Sequence, residues 1–218
     1  GGVDSSYITS LARPARCYTI GYAEEGYDEA GEAAQLARVL GIENRVRRIT
    51  PEEFWDAIPA VQYHMDEPLA DAAAVALYFL NKEAARDVKV CLSGEGADEF
   101  FAGYNIYKEP FTAVWYDRLP AGLRRFLGSI AQRLPAMPGI NFLVRRAQPL
   151  WQRYYGNTAL LTERQKRRLL RHNYHSTLPF DLARPYWQAS TGLDPVTRMQ
   201  WCDLHLWLAG DILLKADK

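Results

Sequence analysis

Over roughly the first hundred residues, short β-prone runs alternate with helical stretches, and this constrains the fold more than anything else in the chain. Arg16 to Tyr22 (RCYTIGY) is rich in aromatic and β-branched residues, and Arg45 to Ile49 (RVRRI) alternates as a strand does. Val88 to Ser93 (VKVCLS) reads as a third strand, with the nearly unbroken apolar character of one covered on both faces. Between the first two, Asp28 to Leu40 puts Ala30, Ala33, Ala34, Ala37 and Leu40 on one helical face, and Gly41 closes it. Thr50-Pro51-Glu52-Glu53 opens the next helix: Thr50 suits the N-cap, Pro51 the first helical position, and Glu53 completes a capping box. Asp4 to Leu11 and Ala72 to Arg86 complete the helical set. Strands spaced by helices imply an α/β fold with a parallel sheet built from βαβ crossovers.

After Tyr104 the pattern changes. Residues 105–218 contain no convincing strand, and Pro110, Pro120, Pro135, Pro138 and Pro149 cut the stretch from Asn105 to Leu150 into short helical pieces. The expected division is therefore an α/β core over 1–104 and a helical extension over 105–218. Thr162 to His172 (TERQKRRLLRH) predicts a basic helix with a second capping box, either an anion-binding face or a solvated one. Pro195 to Lys218 predicts a final amphipathic helix, with Trp201, Leu204, Trp207 and Leu208 as its packing face.

Charge and cysteine content exclude several classes. Twenty-six basic residues balance 26 acidic ones, which argues against a nucleic-acid binder held by phosphate contacts. Cys17, Cys91 and Cys202 are far apart and form no CxxC, so they suggest small core residues in a reduced, cytoplasmic protein. The longest apolar run, Ala72 to Leu80, is too short to span a membrane, and no signal peptide is visible. The chain opens inside a motif, on Gly1, and stops in what reads as a continuing helix, so it is expected to be an internal piece of a longer protein.

Two stretches carry chemistry. In Gly1-Gly2-Val3-Asp4-Ser5-Ser6, glycines ahead of a helix let backbone N–H groups approach an anion, and the serines add hydroxyl donors. Such a turn suits phosphate or pyrophosphate. Asp4 fits beside phosphates if a magnesium ion lies between them. In Ser93-Gly94-Glu95-Gly96-Ala97-Asp98-Glu99, two glycines free the backbone after an apolar run, where open parallel sheets bind ligands. Three acids within five residues call for a cation or a cationic substrate. The blander alternatives are a plain capping turn and an acidic surface loop.

Together these motifs carry a resemblance. GGVDSS resembles the pyrophosphate loop of the N-type ATP pyrophosphatases, and SGEGADE followed by Phe100-Phe101-Ala102-Gly103-Tyr104 is similar to the signature of asparagine synthetases. Tyr27-Asp28-Glu29, Asp66-Glu67-Pro68 with Asp71, and Asp211-Ile212-Leu213-Leu214-Lys215-Ala216-Asp217 extend the match, which is loose between 105 and 200. The resemblance implies an ATP-pyrophosphatase core using ATP and Mg2+ to convert aspartate to β-aspartyl-AMP. Ammonia freed from glutamine by an N-terminal glutaminase domain, absent from this chain, then displaces AMP. Carried over by position, Gly1, Gly2, Asp4, Ser5 and Ser6 would hold pyrophosphate. Ile20 would line the adenine pocket, and Ser93, Gly94 and Gly96 would contact the nucleotide. Asp4 and Asp98 would hold magnesium, Glu95 would serve the intermediate or the incoming ammonia, and Lys215 occupies a basic catalytic position.

The serine and strand that precede this motif in the family, the glutaminase cysteine and a later catalytic lysine do not occur in the chain. These 218 residues alone are therefore expected to be marginally stable and to make no asparagine. A homodimer is a further expectation. The other readings are a non-catalytic nucleotide-binding module, a β-lactam synthetase-like or other amidotransferase, and, more weakly, a tRNA-modifying ATPase. Retention of Asp4, Glu95 and Asp98 speaks against a pseudoenzyme, and GEG at Glu95 favours asparagine over a β-lactam product.

Overall fold

The computed structural model describes residues 2–23, 28–135, 137–156, 166, 168–172 and 177–218. The chain divides into two compact units: Gly1–Ala97 with Asp211–Lys218, and Asp98–Gly210.

In the first unit, α1 (Val3–Ala12) ends at Arg13, whose left-handed backbone (φ 41°) precedes Pro14. Strand β1 (Arg16–Tyr22) pairs in parallel with β2 (Glu43–Ile49), from Arg16 opposite Glu43 to Tyr22 opposite Ile49. Helix α2 (Ala30–Leu40) connects them, making one βαβ unit. Gly41 closes α2 at φ 70°, and its N–H returns to Ala37 and Arg38 carbonyls. The capping box of α3 (Pro51–Met65) forms as expected: Glu53 N donates to Thr50 Oγ1, and Thr50 N to Glu53 Oε2. Helix α4 (Ala73–Ala84) packs Ala74 and Val75 against Ala57, Val61 and Met65 of α3, which gives this unit an apolar core.

The expected strand over Val88–Ser93 is a correction. The segment carries no strand pairing, and Val90 (81% exposed) and Leu92 (73%) face solvent. A strand needs a neighbour's N–H and C=O groups, and β1 and β2 are the only paired strands among the described residues. Cys91 is likewise exposed rather than a core residue, whereas Cys17 is half-buried and Cys202 buried.

The second unit is helical. It begins with the short α5 (Ala97–Phe101, its first residue in the first unit) and a 3-10 segment, Asn105–Phe111. Then follow α6 (Val114–Asp117), α7 (Ala121–Ala131), α8 (Ile140–Arg146) and α9 (Leu150–Arg153). As expected, no strand occurs among its described residues. After them come α10 (Pro179–Ala189) and α11 (Pro195–His205), each starting on a proline. The core joins Tyr107, Tyr154, Ala183, Trp187, Met199 and Cys202. The basic helix expected over Thr162–His172 lies largely outside the described residues.

The final helix is the second correction. The stretch from Pro195 is not continuous: α11 ends at Leu206 (φ −111°), a π-turn spans Leu208–Ile212, and α12 (Leu213–Asp217) follows. Its buried positions include Met199 and Cys202, while Trp201 is exposed. The π-turn shifts the register by a residue per turn, so one 3.6-residue face cannot run through it. No described helix is long and apolar enough to cross a membrane.

Candidate functional site

Helix α1 starts on Gly2, in extended conformation, with no side chain capping it. Its first-turn N–H groups therefore remain available to an outside acceptor, with the helix dipole adding partial positive charge. Asp4 and Ser5 are exposed in this turn and Ser6 is half-buried. No residue of α1 is buried.

The second glycine turn approaches this N-terminus directly. A methyl group added at Gly94 would lie 2.7 Å from Ser5 N and 3.0 Å from Asp4 Cβ. Only glycine permits that backbone-to-backbone approach. The two motifs, some 90 residues apart in sequence, thus meet within one unit. Gly96 is buried at φ 92°, a conformation that strains any other residue. The turn presents Glu95 to solvent, and Glu95 N donates to Ser93 Oγ at 3.4 Å. Ala97 N donates to Gly94 O at 3.3 Å, which ties the turn to the start of α5.

A cavity of about 220 Å³ lies beside α1 and β1. Ser5, Ser6 and Ile20 all line it, with Thr9, Asn44 and Leu80 among its other walls. Three of the predicted nucleotide-binding residues therefore share one cavity. Gly1 lies outside the described residues.

Asp98 lies in the second unit, on α5, where Gly103 makes room for it. A methyl group at Gly103 would sit 1.9 Å from Asp98 Oδ1, and Gly103 N donates to Asp98 O at 3.0 Å. The glycine of the GY pair is therefore what lets this carboxylate lie against the backbone. No group of three or more potential metal-ligating side chains occurs among the described residues. Magnesium is commonly held by one or two carboxylates together with phosphate oxygens and water, so the exposed Asp4 beside an uncapped helix start fits such an ion.

Lys215, expected to be catalytic, is 6% exposed and forms an ion pair with Asp71 at 2.5 Å. Burial pushes the Asp71 carboxyl up, but Lys215 and the N–H of Ala73 outweigh it, and the net direction is down. Asp211, four residues earlier, is pushed up by burial, and its Oδ2 has no hydrogen-bond partner among the described residues. Lys218 pairs with Asp66, so the DEP segment and the last motif lie together. Gln62 holds this segment in shape: its side chain bonds both the N–H (2.9 Å) and the carbonyl (2.7 Å) of Leu69.

Sequence reasoning missed two buried acids of the second unit. Glu99 (1% exposed) accepts from Tyr104 OH at 2.7 Å. Gln200 donates to the Glu99 and Phe100 carbonyls at 2.8 and 2.9 Å, which anchors α5 to α11. Asp203 (0% exposed) accepts on one oxygen from Tyr107 OH at 2.5 Å and from Tyr154 OH. Tyr104, five residues beyond Glu99, was a readable signal for the first; no local pattern marks Asp203.

An uncapped, glycine-led helix start ahead of a βαβ unit, pressed against a second glycine turn, is the kind of α/β arrangement that can accept an anion. Comparison with known families places it further. The chain belongs to the asparagine synthase family, whose model matches residues 1–218. It is 43% identical over 224 residues to asparagine synthetase (glutamine-hydrolyzing) 1 of Bacillus subtilis strain 168. It is 42% identical over 223 residues to a putative asparagine synthetase (glutamine-hydrolyzing) of Mycobacterium tuberculosis H37Rv. All of this chain is covered in both, but only 35% and 34% of those proteins, so the chain spans about a third of their length. The amidase chyE of Penicillium rubens is 27% identical over half the chain. No solved structure matches.

Proposed function

We propose that this chain is the ATP-dependent synthetase portion of a glutamine-hydrolysing asparagine synthetase. The observation that carries the proposal is the contact of Gly94 with the Asp4–Ser5 turn, which brings the two signature motifs of the family to one place.

In this proposal the N–H groups at the start of α1 and the hydroxyls of Ser5 and Ser6 hold the pyrophosphate of ATP. Ile20 and the cavity beside it take the base. Ser93, Gly94 and Gly96 bring backbone close to the nucleotide. Asp4 and, by the family resemblance, Asp98 would hold Mg2+, which would neutralise phosphate charge. A carboxylate oxygen of aspartate attacks the α-phosphorus and pyrophosphate leaves. Ammonia then attacks the acyl carbon, AMP departs, and Glu95 accepts the proton released by the nitrogen. Chemistry of this kind depends mainly on positioning and charge neutralisation. Lys215 acts from its ion pair with Asp71. Residues 1–104 serve as the nucleotide-binding core and 105–218 as its helical extension. The glutaminase domain that supplies ammonia belongs to the remainder of a cytoplasmic parent protein.

The test uses the full-length protein. Asp4→Asn should abolish aspartate-dependent ATP–pyrophosphate exchange. Glu95→Gln should keep that exchange and lower asparagine formation by about a hundredfold or more, the scale of losing a general acid–base group. Normal asparagine formation by Glu95→Gln would overturn Glu95's role, and normal exchange by Asp4→Asn would overturn the site.

A further inference from the structure

Helix α5 is too short to hold its own shape. It has five residues, whereas isolated helices shorter than about 12–15 residues are marginal in water. Apolar packing does not make up the difference. Phe100 (62% exposed) and Phe101 (84%) face solvent, and the only buried residue of α5 is Glu99. Its placement therefore depends on polar contacts at its C-terminal end, where carbonyls lack partners within the helix.

Three of those carbonyls have partners in the second unit. Asp98 O accepts from Gly103 N at 3.0 Å, after Ala102 turns left-handed at φ 57°. Glu99 O and Phe100 O both accept from Gln200 Nε2, which has two hydrogens and directs them to successive carbonyls. Gln200 is firmly mounted, because Met199 and Cys202 on either side of it in α11 are fully buried in the core of the unit. A second tie holds the Glu99 side chain: its Oε1 accepts from Tyr104 OH at 2.7 Å, and Trp207 Nε1 donates to that hydroxyl at 3.5 Å. One tie would let α5 pivot, whereas two fix its rotation as well as its position.

We propose that Gln200 is a positioning residue for the synthetase reaction. By holding the Glu99 and Phe100 carbonyls it sets where α5 presents the adjacent Asp98 carboxylate. The inference rests on the function proposed above, in which Asp98 holds Mg2+. Gln200 acts there through the α5 backbone, without touching nucleotide or metal. Magnesium demands near-octahedral ligands at about 2.0–2.1 Å, whereas calcium accepts a flexible shell at about 2.3–2.6 Å. A carboxylate displaced slightly by loss of Gln200 should therefore fail magnesium more than calcium.

Calorimetric titration of the full-length protein with ATP in Mg2+, in Ca2+ and without metal tests this. Gln200→Leu removes both donors and should weaken ATP binding in Mg2+ by about tenfold or more, the scale of losing a group that orients a metal ligand. In Ca2+ the loss should stay below about threefold, and without metal binding should be unchanged. Gln200→Lys keeps donors for both carbonyls and should restore binding in Mg2+ to within about threefold. Asp98→Asn should itself weaken binding in Mg2+, and adding Gln200→Leu to it should cost nothing further, because Gln200 works through Asp98. Far-UV circular dichroism should show each variant folded. Gln200→Asn, one methylene shorter, carries the same comparison if the leucine variant does not fold. Equal losses in Mg2+, in Ca2+ and without metal, or additive losses in the double variant, would overturn the role of Gln200 and leave that of Asp98 standing. Asp98→Asn binding ATP in Mg2+ as wild type does would overturn both.

Discussion

Replacing Asp203 with asparagine separates the cost of a buried charge from the hydrogen bonds its oxygens make. Asp203 is fully buried, receives Tyr107 and Tyr154 on Oδ2, and leaves Oδ1 without a partner among the described residues. Burial raises its pKa from 3.8 to about 6, against the pull of the two tyrosines and with a further push from Glu99. The folded protein therefore holds this proton more tightly than the unfolded chain, by about 3 kcal/mol. The stability this provides is complete below pH 3.8, is lost as pH rises to about 6, and stays lost above. Asparagine does not titrate. Its amide would leave an N–H without an acceptor where Oδ1 stood, a cost of about 1–3 kcal/mol at any pH. Between about pH 4 and pH 7.5 the stability of Asp203→Asn relative to wild type should thus rise by about 2–3 kcal/mol, whatever its starting value. Urea titrations of both proteins at the two pH values measure this, read by fluorescence of Trp187, which belongs to the same core as both tyrosines. An equal difference at both pH values would refute the reasoning, because Asp203 would then titrate as it does in the unfolded chain.

Gly94→Ala should displace the start of α1, since its methyl group would sit 2.7 Å from Ser5 N. The expected result is a loss of about 1–3 kcal/mol in thermal unfolding and ATP binding at least about tenfold weaker by calorimetry. Lys215→Gln leaves the half-buried Asp71 without its cation, so the stability of the first unit should drop by about 1–2 kcal/mol at neutral pH, less than for a fully buried pair. Because the Asp71 pKa is lowered, the pair stabilises above the ordinary carboxylate range and fades as pH falls through it, and the variant should approach wild type in acid.

What the sequence disclosed was local chemistry. The Thr50–Glu53 box and Gly41 at the end of α2 each depend on a few neighbouring residues. The two motifs were legible as chemistry, and the resemblance assigned both to one nucleotide, but the direct approach of Gly94 to Asp4 and Ser5 was not read from the sequence. Val88–Ser93 misled because apolar content expresses a preference for cover, whereas strand formation also needs a partner backbone. The break after His205 escaped notice because nothing in the helical periodicity of Pro195–Lys218 announces a π-turn. The Asp71–Lys215 pair joins residues 144 apart, and Asp203 meets tyrosines 96 and 49 residues away. Such partners are decided by the fold as a whole, and no window of sequence contains both.

The return of Asp211–Lys218 to the first unit also sets a timetable for synthesis. A ribosome adds about 5–20 residues per second, so roughly 7–30 seconds pass between translation of Asp71 and of Lys215. During that interval every residue of the second unit is made, while Asp71 and Asp66 still wait for the lysines that neutralise them. The first unit begins the chain but cannot be finished first: its last eight residues emerge only after the whole of its companion.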